Sequence, residues 1–299
     1  MRKVFSWGRT TDPSACALRP GTWAAAAALI ALAIVSSGCN KLKARDNLNK
    51  GVNAFKSGQY TAAADDFKTA IDLDPDLPSA RLYLATAYMQ QWVPGSEAPD
   101  NVRVINGALQ EFQTSLSSNL EDKNKLIAMQ SIASIYFQKK DYDKASEWYK
   151  KVIQADPKNK EAYYTLGVIA WSEFLPADRE ARQSQNLRPE DQEPLKNAAP
   201  AKGKKGAPPA TDIKADLKAK YWQKLTDGID DEKKALEIDP DYEYAMAYMN
   251  LLIRYRADLD DTKEQYTADV KQADDWVQKN LETVKKKAAK KSAAAEQTE

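Results

Sequence analysis

The stretch Gly51-Val52-Asn53-Ala54-Phe55-Lys56-Ser57-Gly58-Gln59-Tyr60, continued by Ala63, Phe67 and Ala70-Ile71 and closed by Asp72-Leu73-Asp74-Pro75, decides how this chain folds. Small residues (Gly51, Ala63, Ala70) stand where two antiparallel helices must approach closely, and Phe55, Tyr60 and Phe67 fill the space between them. Gly58 permits the left-handed backbone that ends a first helix, and Pro75 stops a second. The stretch therefore reads as one helix-turn-helix unit.

The unit recurs along the chain. Ile132, Ala133, Tyr136, Phe137, Tyr142, Ala145, Tyr149 and Val152 precede Asp156-Pro157, and Ala235-Leu236 precede Glu237-Ile238-Asp239-Pro240. About 82 residues separate Pro75 from Pro157, room for two units of ~34 residues and a loop. The hidden unit has helices near 80–88 and 105–116, around an insertion at 92–100 that is rich in turn formers such as Pro94, Gly95 and Pro99. About 83 residues separate Pro157 from Pro240, room for one unit and ~49 inserted residues. This fourth unit begins at Ala162, Tyr163 and Tyr164 and meets an insertion at 174–211, where prolines and lysines replace apolar residues. Such a stretch cannot offset its ordering entropy, so much of 176–210 is expected to be mobile, with Thr211 or Asp212 capping the helix beyond. A fifth pair runs from Tyr244 to Leu281, and the Lys/Ala-rich tail 284–299 is expected to be exposed to solvent and partly disordered.

These units resemble the tetratricopeptide (TPR) repeat. The resemblance implies an all-α, right-handed superhelical solenoid of about five antiparallel helix pairs over residues 44–283. It also implies a concave groove, lined by the first helix of each pair, that holds a protein or peptide partner. The family's groove-lining places fall on Leu48, Val52 and Phe55 in the first unit and on Leu82, Thr86 and Met89 in the second. In the third they fall on Gln130, Ser134 and Phe137, in the fourth on Tyr164, Val168 and Trp171, and in the fifth on Tyr244, Leu251 and Arg254. The last place in each set is large, apolar or cationic, which suits an interface anchor. The same side chains are equally suited to packing between neighbouring repeats. Two positions depart from the repeat: Glu232 replaces a large aromatic, and Asn250 replaces Gly or Ala, so the last pair is expected to act as a cap.

Residues 1–38 are read as an address rather than as fold. A basic leader with Arg2, Lys3, Arg9 and Arg19 precedes the apolar run Trp23 to Val35 and then Ser36-Ser37-Gly38-Cys39. This resembles a bacterial lipoprotein signal peptide, which implies acylation of Cys39, a short tether at 39–43 and a membrane anchor. Ser36 departs from that pattern, which usually has Leu there. The run of 13 apolar residues falls short of the ~20 that span a bilayer. The resemblance places the repeats on the periplasmic side of a bacterial envelope, and Asn40 after the cysteine leans towards the outer membrane.

Composition removes several chemistries. The chain has no histidine and two cysteines, of which Cys16 lies in the leader and Cys39 is the lipidation candidate. Histidine-based nucleophile pairs and histidine-ligated zinc are therefore absent, and no phosphate-binding loop or dinucleotide fingerprint occurs, so no cofactor is implied. A net charge of +1 gives no argument for nucleic acid. The pairs Asp65-Asp66, Asp230-Asp231 and Asp274-Asp275 keep a carboxylate hydrolase as a lesser alternative, since all three sit in helical stretches where a solvated, charged outer face is expected. The lysine runs 202–205 and 285–291 keep a second alternative, binding to an anionic cell-wall polymer. The sequence names no partner and no oligomeric state.

Overall fold

The protein is described by a computed structural model covering residues 20–188, 193–197 and 212–296. Ten helices in five antiparallel pairs make up the described residues: α1 (Pro20–Lys56) with α2 (Tyr60–Leu73), α3 (Pro78–Gln91) with α4 (Pro99–Leu116), and α5 (Asp122–Gln138) with α6 (Tyr142–Ala155). Then come α7 (Lys160–Ser184) with α8 (Ile213–Ile238) and α9 (Glu243–Ala257) with α10 (Lys263–Glu296). Each helix packs on the next, and α1–α3, α3–α5 and α7–α9 also touch along one side. The odd-numbered helices therefore form the inner row of an all-α TPR-like solenoid.

The local chemistry explains the turns. Gly58 sits at φ 74° between α1 and α2, and Lys140 takes the same left-handed conformation at φ 58° between α5 and α6. The side chains of Asp141, Asn159 and Asp212 accept hydrogen bonds from the amides of Lys144, Ala162 and Ala215, which caps α6, α7 and α8. The 92–98 loop is held by Asn101, whose amide bonds to the backbone of Val93 and Ser96. Helix α1 is continuous through 39–43, so the segment read as a tether is helical.

Close packing follows the small residues. A Cβ at Gly51 would lie 2.5 Å from Cε1 of Phe67, so that ring occupies the space glycine leaves. Phe67, Phe112 and Phe174 are fully buried in three separate cores. The third and fourth units meet through a smaller core of Ala145, Leu166 and Ile169.

Part of the 176–210 stretch is described, and there it is packed. Helix α7 continues past Pro176 to Ser184 and buries Phe174, Asp178, Ala181 and Arg182. Residues 193–197 then cross the corner between α9 and α10, where Leu195 is 1% exposed and its amide donates to the carbonyl of Asp258 at 3.2 Å. Gln185 and Lys196 exchange two hydrogen bonds of 3.0 and 2.8 Å. Residues 189–192 and 198–211, with the 202–205 lysine run, lie outside the described residues.

Candidate functional site

The first helices of units four and five carry an aromatic wall. Along α9, Tyr244, Tyr248 and Tyr255 recur on one face, and α7 brings Tyr164 and Trp171 against them. Tyr164 lies with its ring centroid 5.6 Å from Tyr242, 6.2 Å from Tyr244 and 5.4 Å from Tyr248, in tilted and edge-on arrangements. Trp171 meets Tyr248 edge-on at 5.5 Å. Such geometry is favourable for aromatic pairs, and it fixes the wall in one shape. Burial pushes the Tyr164 and Tyr248 phenols up, and Tyr242 up to about 12, so all stay neutral hydrogen-bonding groups at physiological pH. Tyr244, at 58% exposure, is the most open member. At one edge Lys160 lies 4.6 Å above the Tyr242 ring and 2.6 Å from Asp239.

Behind the wall stands Glu232 of α8, fully buried, with neither carboxylate oxygen hydrogen-bonded among the described residues. It fits where Gly167 has no side chain: a Cβ there would lie 2.3 Å from its Oε1. Burial, and then the neighbouring Asp231, push its carboxyl up to about 10, so it is a neutral acid at pH 7.

The groove-lining places divide. Tyr164, Trp171 and Tyr244 come together, joined by Tyr242 and Tyr248. The spacing of Tyr244 and Tyr248, one helical turn apart, was the signal for the latter. Leu82 and Val168 are corrected to core, at 5% and 7% exposure, because their helices turn them onto the neighbouring helix. Leu48, Val52 and Phe55 are half-buried against α2, with Phe55 edge-on to Tyr60 at 5.2 Å. Met89 packs against the core shared by the second and third units, and the ring centroid of Phe137 lies 6.0 Å from that of Tyr142. Thr86 donates to the Leu82 carbonyl, while Ser134 accepts from Gln138. Gln130 is half-buried. Arg254 is committed to Asp274 and Asn250, and Leu251 faces the open end of the array.

The carboxylate pairs divide as well. Asp65 pairs with Lys68, and Asp274 with Arg254. Asp231 departs from the solvated-face expectation. It is half-buried in a cleft of about 720 Å³ between α6, α7 and α8, together with Asp143, Glu147, Glu173, Asp227 and Asp230. Burial, and then the charge of Asp227, raise its carboxyl to about 7. A folded-state value above the unfolded 3.8 means that the native state binds the extra proton, so stability falls as pH rises from about 4 to about 7. Asp231→Asn is expected to flatten the difference between urea midpoints measured at pH 5 and pH 8.

The comparisons agree with this architecture. Residues 54–91 and 133–172 match the TPR repeat model, each match running from the end of a first helix through its partner and into the next unit. The fold is similar to a crystal structure of MamA protein, with a TM-score of 0.51 and 15% identity over 83% of this chain and 94% of that one. A structure of the RS-1 ArsTM double mutant of MamA is similar with a TM-score of 0.51 and 16% identity, over 83% of this chain and 97% of that one. No curated protein matches the sequence. The chain carries TPR repeats in an all-helical solenoid.

Proposed function

We propose that this chain is a non-enzymatic adaptor, tethered to a bacterial membrane through an acylated Cys39, that holds a protein partner in the periplasm. The aromatic wall of Tyr164, Trp171, Tyr244 and Tyr248 carries this reading. Rigid, half-exposed Tyr and Trp side chains on the inner row of a solenoid supply large contact area at low entropic cost. The tether rests on the lipoprotein-like signal. Cys39 is exposed, and among the described residues no helix is long and apolar enough to cross a membrane. A place in envelope, secretion or pilus assembly, on the outer rather than the inner membrane, is the setting this reading implies.

The test is in-cell photocrosslinking from residues 171 and 244, with Lys56, which is exposed, as control. We expect one protein captured from both wall positions and not from the control, and its co-purification reduced at least tenfold by Trp171→Ala. No adduct, or the same adducts from Lys56, overturns the wall as the binding site. In the same strain Cys39→Ala is expected to move the chain from the membrane to the soluble fraction. The cell-wall alternative loses part of its cation supply, because Lys286 and Lys287 are paired with Asp241 and Glu243.

A further inference from the structure

Just after Cys39, helix α1 carries cations that the fold does not use. Lys41, Lys43 and Arg45 are exposed, and none of the three is in an ion pair among the described residues. The first carboxylate beyond them, Asp46, is taken by Lys50 at 2.8 Å. Among these cations stands Leu42, at 73% exposure the most open large apolar side chain of the described residues. Cys39, Leu42 and Lys43 fall on one face of the helix, at the i, i+3 and i+4 places. Ala44, on the other side, is fully buried, and Leu48, one turn on, packs against the core that α2 forms with α3. The packing that joins α1 to the array thus leaves this outward face open.

Distance from the anchor decides what these groups meet. Helix α1 runs without a break through 39–45, so Lys41, Lys43 and Arg45 stand ~3, ~6 and ~9 Å along the axis from Cys39. A chain held by an acyl group at Cys39 keeps all three within roughly one Debye length, ~8 Å, of the lipid headgroups. Anionic headgroups attract each Lys or Arg held that close. A soluble polyanion would meet the cations and leave Leu42 in water. A bilayer surface takes both, the apolar side chain at the boundary of headgroup and acyl chain and the cations on the phosphates.

We propose, resting on the tether reading above, that Lys41, Leu42, Lys43 and Arg45 form a collar that binds the anionic headgroups of the membrane holding Cys39. Because Leu48, Val52 and Phe55 pack α1 into the first unit, binding at the collar also fixes how the array stands on that membrane.

The test uses the full-length chain, processed in a bacterial host and reconstituted into vesicles of phosphatidylcholine with or without phosphatidylglycerol. Cys16 leaves with the leader and an acylated Cys39 has no thiol, so Leu42→Cys supplies one reactive thiol for the environment-sensitive dye acrylodan. On vesicles with phosphatidylglycerol its emission is expected to shift to the blue relative to phosphatidylcholine alone. High salt, and Lys41→Gln/Lys43→Gln/Arg45→Gln in the same background, are each expected to remove at least half of that shift. The same dye on Lys56→Cys, an exposed position ~26 Å along α1 from Cys39, is expected to show no difference. Equal emission from position 42 on both vesicles, or a shift that survives the triple substitution, in a chain that floats with the vesicles overturns the collar and leaves the tether standing. A wild-type Cys39 that still titrates as a thiol, in a chain that floats with neither vesicle, overturns the tether and the collar with it. A dye at position 42 that responds to soluble polyphosphate as it does to phosphatidylglycerol overturns the lipid assignment.

Discussion

Replacing Glu232 by Leu is expected to stabilise the protein at pH 7, and replacing Gly167 by Ala to destabilise it through the same contact. Holding a carboxyl protonated at pH 7, against an unfolded value of 4.5 and a folded value of about 10, costs about 3 kcal/mol. Neither oxygen recovers a hydrogen bond in return. The sign follows from the direction of the shift. A raised carboxyl binds its proton in the native state, so stability is lost as pH rises from about 4.5 towards 10. Between pH 7.5 and 9 the carboxyls raised to about 6 or 7 have already titrated, and Tyr242, at about 12, has not. Urea unfolding in that window should show the wild type losing more stability than Glu232→Leu, by at most ~1.4 kcal/mol per pH unit. Gly167→Ala places a methyl against Glu232 Oε1, Cδ and Cγ at 2.3, 2.8 and 2.8 Å, an overpacking that costs about 1–3 kcal/mol. Gly167→Ala/Glu232→Ala should regain most of that loss relative to Glu232→Ala alone. Independent effects of the two substitutions would remove the contact as the cause.

This acid shows how far a sequence reads. Glu232 stands out in the sequence as a misfit in the repeat, because the unit asks for an aromatic there, but its burial depends on Gly167, some 65 residues earlier. The helical pairs were legible because their signals are local: Gly51 facing Phe67, Gly58 at the turn, Pro75 after α2. The described part of the insertion was less legible for the opposite reason. Phe174, Leu187 and Leu195 are thinly spread, and Arg182 between them is paired with Asp258, far along the chain. Low apolar density was read as a lack of structure, whereas burial there rests on long-range pairs. The site was partly legible: Tyr164, Trp171 and Tyr244 were placed by the repeat, while Leu82 and Val168 turned inward because the same first helices also pack on their neighbours. A position in a repeat fixes which way a side chain leaves the helix but not what lies beyond it.

The second large effect is expected at Arg182, where long-range pairing holds the insertion. Its guanidinium lies 2.5 Å from Asp258 and 3.3 Å from Asp178, with all three side chains nearly inaccessible, and it also donates to the carbonyl of Glu193 at 3.3 Å. One cation thus bridges α7, the corner after α9 and the crossing segment. Arg182→Met keeps much of the volume but leaves two carboxyls buried without this partner, a change that typically costs 3–5 kcal/mol. Burial already raises Asp258 to about 7 and Asp178 above its ordinary value, and loss of the arginine raises both further. The native variant must then take up protons that the unfolded chain, with its carboxyls near 3.8, does not bind at neutral pH. The penalty therefore grows with pH, and the gap in urea midpoint between wild type and Arg182→Met should be larger at pH 8 than at pH 5.5. Arg182→Met/Asp258→Asn should narrow the gap at pH 8, because it removes one of the stranded charges. A pH-independent gap would mean that lost packing, and not stranded charge, sets the cost. Proteolysis reads the structural consequence: cleavage within 176–197 should accelerate in Arg182→Met well below the unfolding midpoint, since the segment is fastened through this residue and the Gln185–Lys196 exchange. Because α7 also carries Trp171, a loosened α7 end should weaken partner capture from the aromatic wall without any change to the wall's own side chains.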